Sequence, residues 1–287
     1  MIEDLARQIR QRRVILFAGA GLSQPLKLPS WDGLIAQMAR DLGYDPAVLV
    51  GPEANYMQVA EYYALEKGGT ESLQAWMRTA WSVDEALLQQ SPVHNMIVDL
   101  GFPVIYTTNF DENIERIFEL RGKRFKRVKS LAEASTPLGQ APHIIKFHGG
   151  FAPGDSIVLT ESDYYERLEF SSPLDVRLRN DLLTRSVLFV GYSLRDLNLR
   201  VLLYKLQKMW AGISAGREKS YIFLLRPDPV QQRVLQSRGI HPIVAKSADA
   251  HSALEQFFEE LLGHVRTPVA RRGQSPRGPA SPSKGRP

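Results

Sequence analysis

The sequence predicts an α/β fold in which a parallel sheet is covered by helices on both faces, with a helical insertion between its first two strands. Three observations carry this. Short apolar runs closed by glycine or polar turn residues recur at 14–18, 104–107, 143–147 and 187–190, the mark of strands buried on both sides. Segments of helical spacing alternate with them, as a parallel sheet covered on both faces requires. Residues 45–100 break the alternation with consecutive helical segments and no strand.

Taken in order, 1–13 reads as an opening helix with Leu5 and Ile9 on one face and Arg7, Arg10, Arg12 and Arg13 around the rest. The strand at 14–18 runs into the turn Gly19-Ala20-Gly21-Leu22-Ser23. Pro29-Ser30-Trp31-Asp32 then starts a helix, with Ser30 as N-cap and Leu34, Ile35, Met38, Ala39 and Leu42 along its apolar face. Strand, glycine turn and helix are the parts of a dinucleotide-binding unit. Residues 56–66, 70–80 and 91–100 favour helices and form an insertion of the kind that serves as a lid or an oligomer surface. Strands and helices resume beyond Gly101-Phe102-Pro103: strand 104–107, helix 111–119, strand 143–147, a short strand 157–159, and strand 187–190 ending at Gly191. A long amphipathic helix at 197–210, strand 221–225, helix 229–238, strand 242–245 and helix 253–265 complete the series.

With 287 residues and 44% apolar content, the chain reads as one domain over 1–265 followed by a tail over 266–287. The tail holds Arg266, Arg271, Arg272, Arg277, Lys284 and Arg286 and no acid. Setting those six aside from the 36 basic residues leaves 30 against 31 acidic ones, so the body is near neutral and nucleic acid is expected only through the tail or a partner. Rich in Pro, Gly, Ser and Arg, the tail is expected to be a disordered, solvated extension. The absence of cysteine excludes disulfides and Cys-ligated zinc, and the six histidines lack metal-ligand spacing, so no metal is expected. No run approaches the roughly 18 apolar residues of a membrane span, and Met1-Ile2-Glu3-Asp4 lacks the features of a signal peptide. A cytoplasmic protein with no membrane contact is the expectation.

Three turns should meet at one edge of the sheet: 19–23, Thr107-Thr108-Asn109-Phe110-Asp111 and Lys146-Phe147-His148-Gly149-Gly150. The first has the chemistry of a phosphate cradle, because glycines let backbone N–H groups approach an anion and a following helix presents its positive end. Ser23 adds a hydroxyl, and a second glycine-hydroxyl turn, Gly191-Tyr192-Ser193, follows another apolar strand. The acid expected about 20 residues beyond the glycines of a dehydrogenase has no counterpart here. Asn109 and Asp111 bracket Phe110, where the structural alternative for either is a helix N-cap. His148 is either a satisfied core group or, with an ordinary pKa of about 6.5, an acceptor of a proton from water or a ribose hydroxyl. Asp196 and Asn198 either cap the helix at 197–210 or contact a ribose or adenine. Trp31 reads as a core or pocket-wall residue, and Lys146 as pointing away from the site.

The ordered set Gly19-Ala-Gly-Leu-Ser23, Leu28-Pro-Ser-Trp31, Tyr106-Thr-Thr-Asn-Phe-Asp111, Lys146-Phe-His-Gly149 and Gly191-Tyr-Ser-Leu-Arg-Asp-Leu-Asn198 resembles the sirtuin family, in its bacterial sirtuin-like NADase branch. The resemblance implies a Rossmann-like NAD domain in which NAD is the substrate. It makes Asn109 the group that orients the nicotinamide ribose and a water, His148 the general base, and Asp111 a contact to the carboxamide. Gly19, Ala20, Gly21 and Ser23 would hold the pyrophosphate, with Gly191, Ser193, Asp196 and Asn198 nearby. The four-cysteine zinc module of the protein-deacylating members is missing, which leaves NAD hydrolysis to nicotinamide and ADP-ribose as the implied activity, in anti-phage defence. A zinc-free deacylase or ADP-ribosyltransferase and a non-catalytic NAD or ADP-ribose sensor are the alternatives. Activation by homo-oligomerisation or by a partner is implied, the partner being a HerA-like ATPase ahead of an Argonaute or a signal-producing protein.

Overall fold

Seven strands, all parallel, form one sheet in a computed structural model that describes residues 1–50, 55–128, 133, 137–151, 155–169, 172–192, 197–210, 219–226 and 228–267. The strands are β1 (Val14–Ala18), β2 (Val104–Thr107), β3 (Lys126–Val128), β4 (His143–Lys146), β5 (Ser186–Val190), β6 (Ser220–Leu224) and β7 (Ile240–Val244), in the order β3-β4-β2-β1-β5-β6-β7. The chain starts mid-sheet at β1, moves to β2 on one side, goes to the edge at β3 and returns to β4 between them, then crosses to β5 on the other side. Connections beyond β1 and β5 leave toward opposite faces, so a crevice opens between them at the carboxyl edge, the place where such sheets bind ligands.

Alternation along the strands fills two separate cores. Val14, Leu16, Ala18, Ile105, Leu188 and Phe223 face the helices α1 (Ile2–Arg10), α7 (Pro92–Leu100), α8 (Asn113–Leu120) and α13 (Ala250–Arg266). Ile15, Phe17, Tyr106, Val187, Phe189 and Ile222 face Leu178 and Leu182 of α10 (Pro173–Thr184), Leu203 of α11 (Leu197–Trp210) and Leu235 of α12 (Pro229–Ser237). Each large side chain so enclosed contributes about 1.5–3 kcal/mol. Helices cover both faces, as the sequence predicts.

A third core lies beside the sheet. Leu34, Ile35 and Met38 of α2 (Trp31–Leu42), Ala60 and Tyr63 of α4 (Tyr56–Lys67), and Leu73 and Met77 of α5 (Glu71–Ala80) pack on Phe110, Ile157 and Leu159. Two short helices, α3 (Pro46–Leu49) and α6 (Glu85–Gln89), complete the series between β1 and β2. Ser30 caps α2 by accepting from the Gly33 N–H at 3.3 Å.

Several elements differ from the sequence reading. The edge strand β3 has no counterpart in it, and 157–159 is no strand: Ile157 makes a single antiparallel bridge to Gly149. α9 (Glu161–Leu168) and α10 fill a stretch left unassigned, each opened by a capping box, Thr160 with Asp163 and Ser172 with Asp175. Arg266 belongs to α13 and pairs with Asp99 at 3.0 Å, rather than to the tail. Residues 268–287, the rest of that tail, lie outside the described residues. Among the described residues, no helix is long and apolar enough to cross a membrane.

Candidate active site

Parallel register sets three strand ends side by side, Ala18 opposite Thr107 and Thr107 opposite Lys146. The ladder runs one step further, the Phe147 N–H donating to the Thr107 carbonyl at 2.7 Å. Asn109 and His148 therefore stand two residues beyond the same paired positions, on neighbouring strands, at the carboxyl edge. Asn109, Asp111 and His148 are all buried.

Side chains lace the first two turns together. Asn109 Nδ2 donates to the Gly19 carbonyl at 3.2 Å and reaches Ser23 Oγ at 3.4 Å. Ser23 Oγ donates to Asp111 Oδ2 at 3.0 Å, and Asp111 Oδ1 accepts from the Asn113 N–H at 3.1 Å. Asp111 thus holds the start of α8, as its capping alternative has it, and accepts from Ser23 at once. Asn109 Oδ1 is buried with no hydrogen-bond partner among the described residues. Such an orphaned acceptor is uncommon in a folded protein and marks a place for a donor from water or ligand.

The glycines act differently from the cradle expected. The Gly19 N–H donates to the Val190 carbonyl, the Gly21 N–H to the Gly191 carbonyl, and the Ser23 N–H to the Ala20 carbonyl, at 2.9, 2.9 and 3.1 Å. Ser23 Oγ is also engaged, so three of the four residues assigned to the pyrophosphate spend their backbone donors within the fold. Two 3-10 turns, Ala20–Leu22 and Gln24–Leu26, separate the glycines from α2, so no helix N-terminus directly follows them. What the glycines do is let two turns touch: a Cβ on Gly19 would lie 2.7 Å from the Gly191 carbonyl, and Gly191 itself has φ +76°. Tyr192 closes the crevice floor, its hydroxyl 3.0 Å from both Thr108 Oγ1 and the Ala18 carbonyl. Ser193 and Asp196 lie outside the described residues, as does the side chain of Asn198.

His148 packs edge-on against Tyr164, ring centroids 5.4 Å apart. Burial, and then the nearby Arg167 guanidinium, bring its pKa down to about 3, which corrects the expectation of titration near neutrality. Arg167 lies 4.1 Å over the Phe147 ring and is tied to Asp175 at 3.1 Å. Sequence reasoning gave no hint of Arg167, which sits on α9. Lys146 also departs from expectation: its buried Nζ donates to the Asp111 carbonyl beneath the site. Trp31 packs on the third core, stacked on Tyr56 at 6.2 Å and edge-on to Phe110 at 6.5 Å.

Fold and site together define a doubly wound α/β protein whose polar cluster opens at the switch point of its sheet. Residues 103–243 match the model of the SIR2-like domain. It is 27% identical over 210 residues to the NAD(+) hydrolase ThsA of Acinetobacter baumannii (strain 532279), covering 72% of this chain and 42% of that protein. It is 24% identical over 265 residues to Defense-associated sirtuin 2 of Bacillus subtilis, covering 89% of this chain and 26% of that one. A solved structure titled as a complex of a SIR2 homolog with NAD aligns over 92% of this chain and 93% of its own, at 15% identity and a TM-score of 0.44. The chain spans less than half the length of these two curated relatives.

Proposed function

We propose that this protein hydrolyses NAD at the nicotinamide–ribose bond, giving nicotinamide and ADP-ribose, and that it does so in defence against phage. The observation that carries the reading is the meeting of Asn109, Asp111 and Ser23, with the Asn109 Oδ1 acceptor left open, one strand away from His148. The names of the relatives, a NAD(+) hydrolase and a defence-associated sirtuin, support the same activity and setting.

Cleavage develops positive charge on the ribose as neutral nicotinamide departs, and water then forms the new bond to C1′ and gives up a proton. Asn109 offers its free Oδ1 to a donor on that sugar or on the water. Its Nδ2, fixed by Gly19, prevents the amide from turning. His148, held neutral by burial, presents a lone pair that orients the water; with a pKa of about 3 it is a weak proton store, and the proton passes on to solvent. Asp111 Oδ2 accepts from the carboxamide beside its bond from Ser23. Of the first turn, Ala20 is left to donate a backbone N–H to the pyrophosphate. The site works by placement and exclusion of bulk water. Activation comes from self-assembly or a defence partner.

The test is chromatography of NAD incubated with the assembled protein beside Asn109→Ala and His148→Ala variants. Equal release of nicotinamide and ADP-ribose by the wild type alone is expected. Intact NAD in an assembly active in defence overturns the reading.

A further inference from the structure

We infer that Lys146 is a positioning residue: its buried ammonium clamps the strand leading to His148 onto the turn that carries Asn109 and Asp111. The inference rests on the NAD-hydrolase reading of that turn. Lys146 closes β4, whose preceding residues Ile144 and Ile145 are fully enclosed. An apolar residue is the ordinary choice in such a strand, and an ammonium there must be compensated.

Its partners show what compensates it. Nζ donates to the Asp111 main-chain carbonyl, while the nearest carboxylate oxygen, on Glu115, is 3.9 Å away. Both Glu115 oxygens lack hydrogen bonds among the described residues, so this lysine is not simply the donor to a buried acid. Asp111 is thereby fixed at three atoms: its carbonyl by Lys146, Oδ1 by the Asn113 N–H and Oδ2 by Ser23. Gly150 leaves the passage for the lysine stem, since a Cβ there would lie 3.1 Å from Lys146 Cε. A continuous path then runs from β4 through Lys146, Asp111 and Ser23 to Asn109 and Gly19. Moving one end shifts the group that must meet the sugar, and a misplacement of about 1 Å costs roughly a hundredfold in rate.

The experiment compares Lys146→Met, Glu115→Gln and the double variant Lys146→Met/Glu115→Leu in NAD turnover, thermal midpoint and amide hydrogen exchange across residues 108–113. Lys146→Met is expected to lose about a hundredfold in kcat with KM within about threefold, and to exchange faster in that turn. Glu115→Gln, which keeps the ammonium, stays near wild type in both. Should Lys146→Met fold poorly, the double variant removes the buried pair together and restores the midpoint, while turnover stays low and the turn stays loose. Wild-type kcat in either lysine variant, or unchanged exchange in 108–113, overturns the clamp. A wild-type protein that leaves NAD intact tells against the hydrolase reading instead, and the exchange pattern then decides the clamp by itself.

Discussion

Asn109 Nδ2 lies 3.2 Å from the Gly19 carbonyl, so the turn after β2 is latched to the turn after β1 while Oδ1 on the same amide stays buried and unpartnered. One end of the side chain is structural and the other has no partner among the described residues. Asn109→Ala removes both. Loss of a single positioned polar group of this kind lowers turnover by about 10²–10³, whereas one neutral hydrogen bond contributes only about 1 kcal/mol to stability. Nicotinamide release should therefore collapse while the chemical denaturation midpoint moves little. An alanine variant that releases nicotinamide at the wild-type rate removes Asn109 from the chemistry.

Acid should destabilise the fold through histidine. Burial, with Arg167 adding to it, takes His148 down to about 3; burial alone takes His94 to about 4 against the opposing charge of Asp111. His143 is lowered as well, chiefly by burial. A lowered folded-state value means that the unfolded chain takes up protons first. Stability is full above about 6.5 and drains away as pH falls toward these values, by up to about 1.4 kcal/mol per pH unit for each histidine. Urea unfolding at pH 7, 6 and 5 reads the slope, and His148→Gln should make it shallower by about one proton's worth. A slope that is the same in the variant shows that His148 titrates normally.

Two glycines of similar backbone separate conformation from contact. Gly191 (φ +76°) would place a Cβ 2.6 Å from the Leu22 nitrogen and 2.7 Å from the Gly19 carbonyl, while Gly122 (φ +60°) has nothing within 4 Å. Gly122→Ala meets only the left-handed penalty of about 1–2 kcal/mol. Gly191→Ala adds a backbone clash at the crevice and should cost clearly more, together with NAD affinity. Equal losses of stability in the two variants show that the turns at 19–21 and 191 can separate freely.

How much of this could be read from the residues follows from what each element buries. The central strands are legible because the apolar runs 14–18 and 187–190 are enclosed on both faces. β3 was not, since Lys-Arg-Val at a sheet edge buries only Val128. Ile157 and Leu159 look like strand residues because they are apolar, yet they serve the core beneath α2 and α4. The capping boxes at Thr160 and Ser172 were visible signals for α9 and α10. At the site, the meeting of Asn109, Asp111 and Ser23 is legible from their place after strands, whereas the bond of Lys146 to the Asp111 carbonyl is not, because a cation at a strand end ordinarily points to water. Nothing local to Arg167 indicates that it will lie against Phe147.

The far face of the same strand offers a prediction about folding that leaves the chemistry alone. Asp181 of α10 is buried; its Oδ2 accepts from the Tyr106 hydroxyl at 2.9 Å and from Arg177 Nε at 2.8 Å, and its Oδ1 from Arg185 at 3.0 Å. Burial, with the Asp181 carboxylate adding to it, holds the Tyr106 hydroxyl firmly protonated. One carboxylate thus serves three donors and fastens α10 to β2. Asp181→Ala leaves a buried hydroxyl and two guanidinium groups facing a void, a change that costs about 3–5 kcal/mol. Asp181→Asn keeps acceptor capacity and should lose less. The Tyr106 hydroxyl bonds to Asp181 and not to Asn109, Asp111 or Ser23, so turnover per folded molecule, measured below the variants' unfolding midpoints, should match wild type. A stability loss in Asp181→Ala below about 1 kcal/mol, the scale of an exposed ion pair, means that α10 is held by apolar packing through Leu178 and Leu182 and not by this carboxylate.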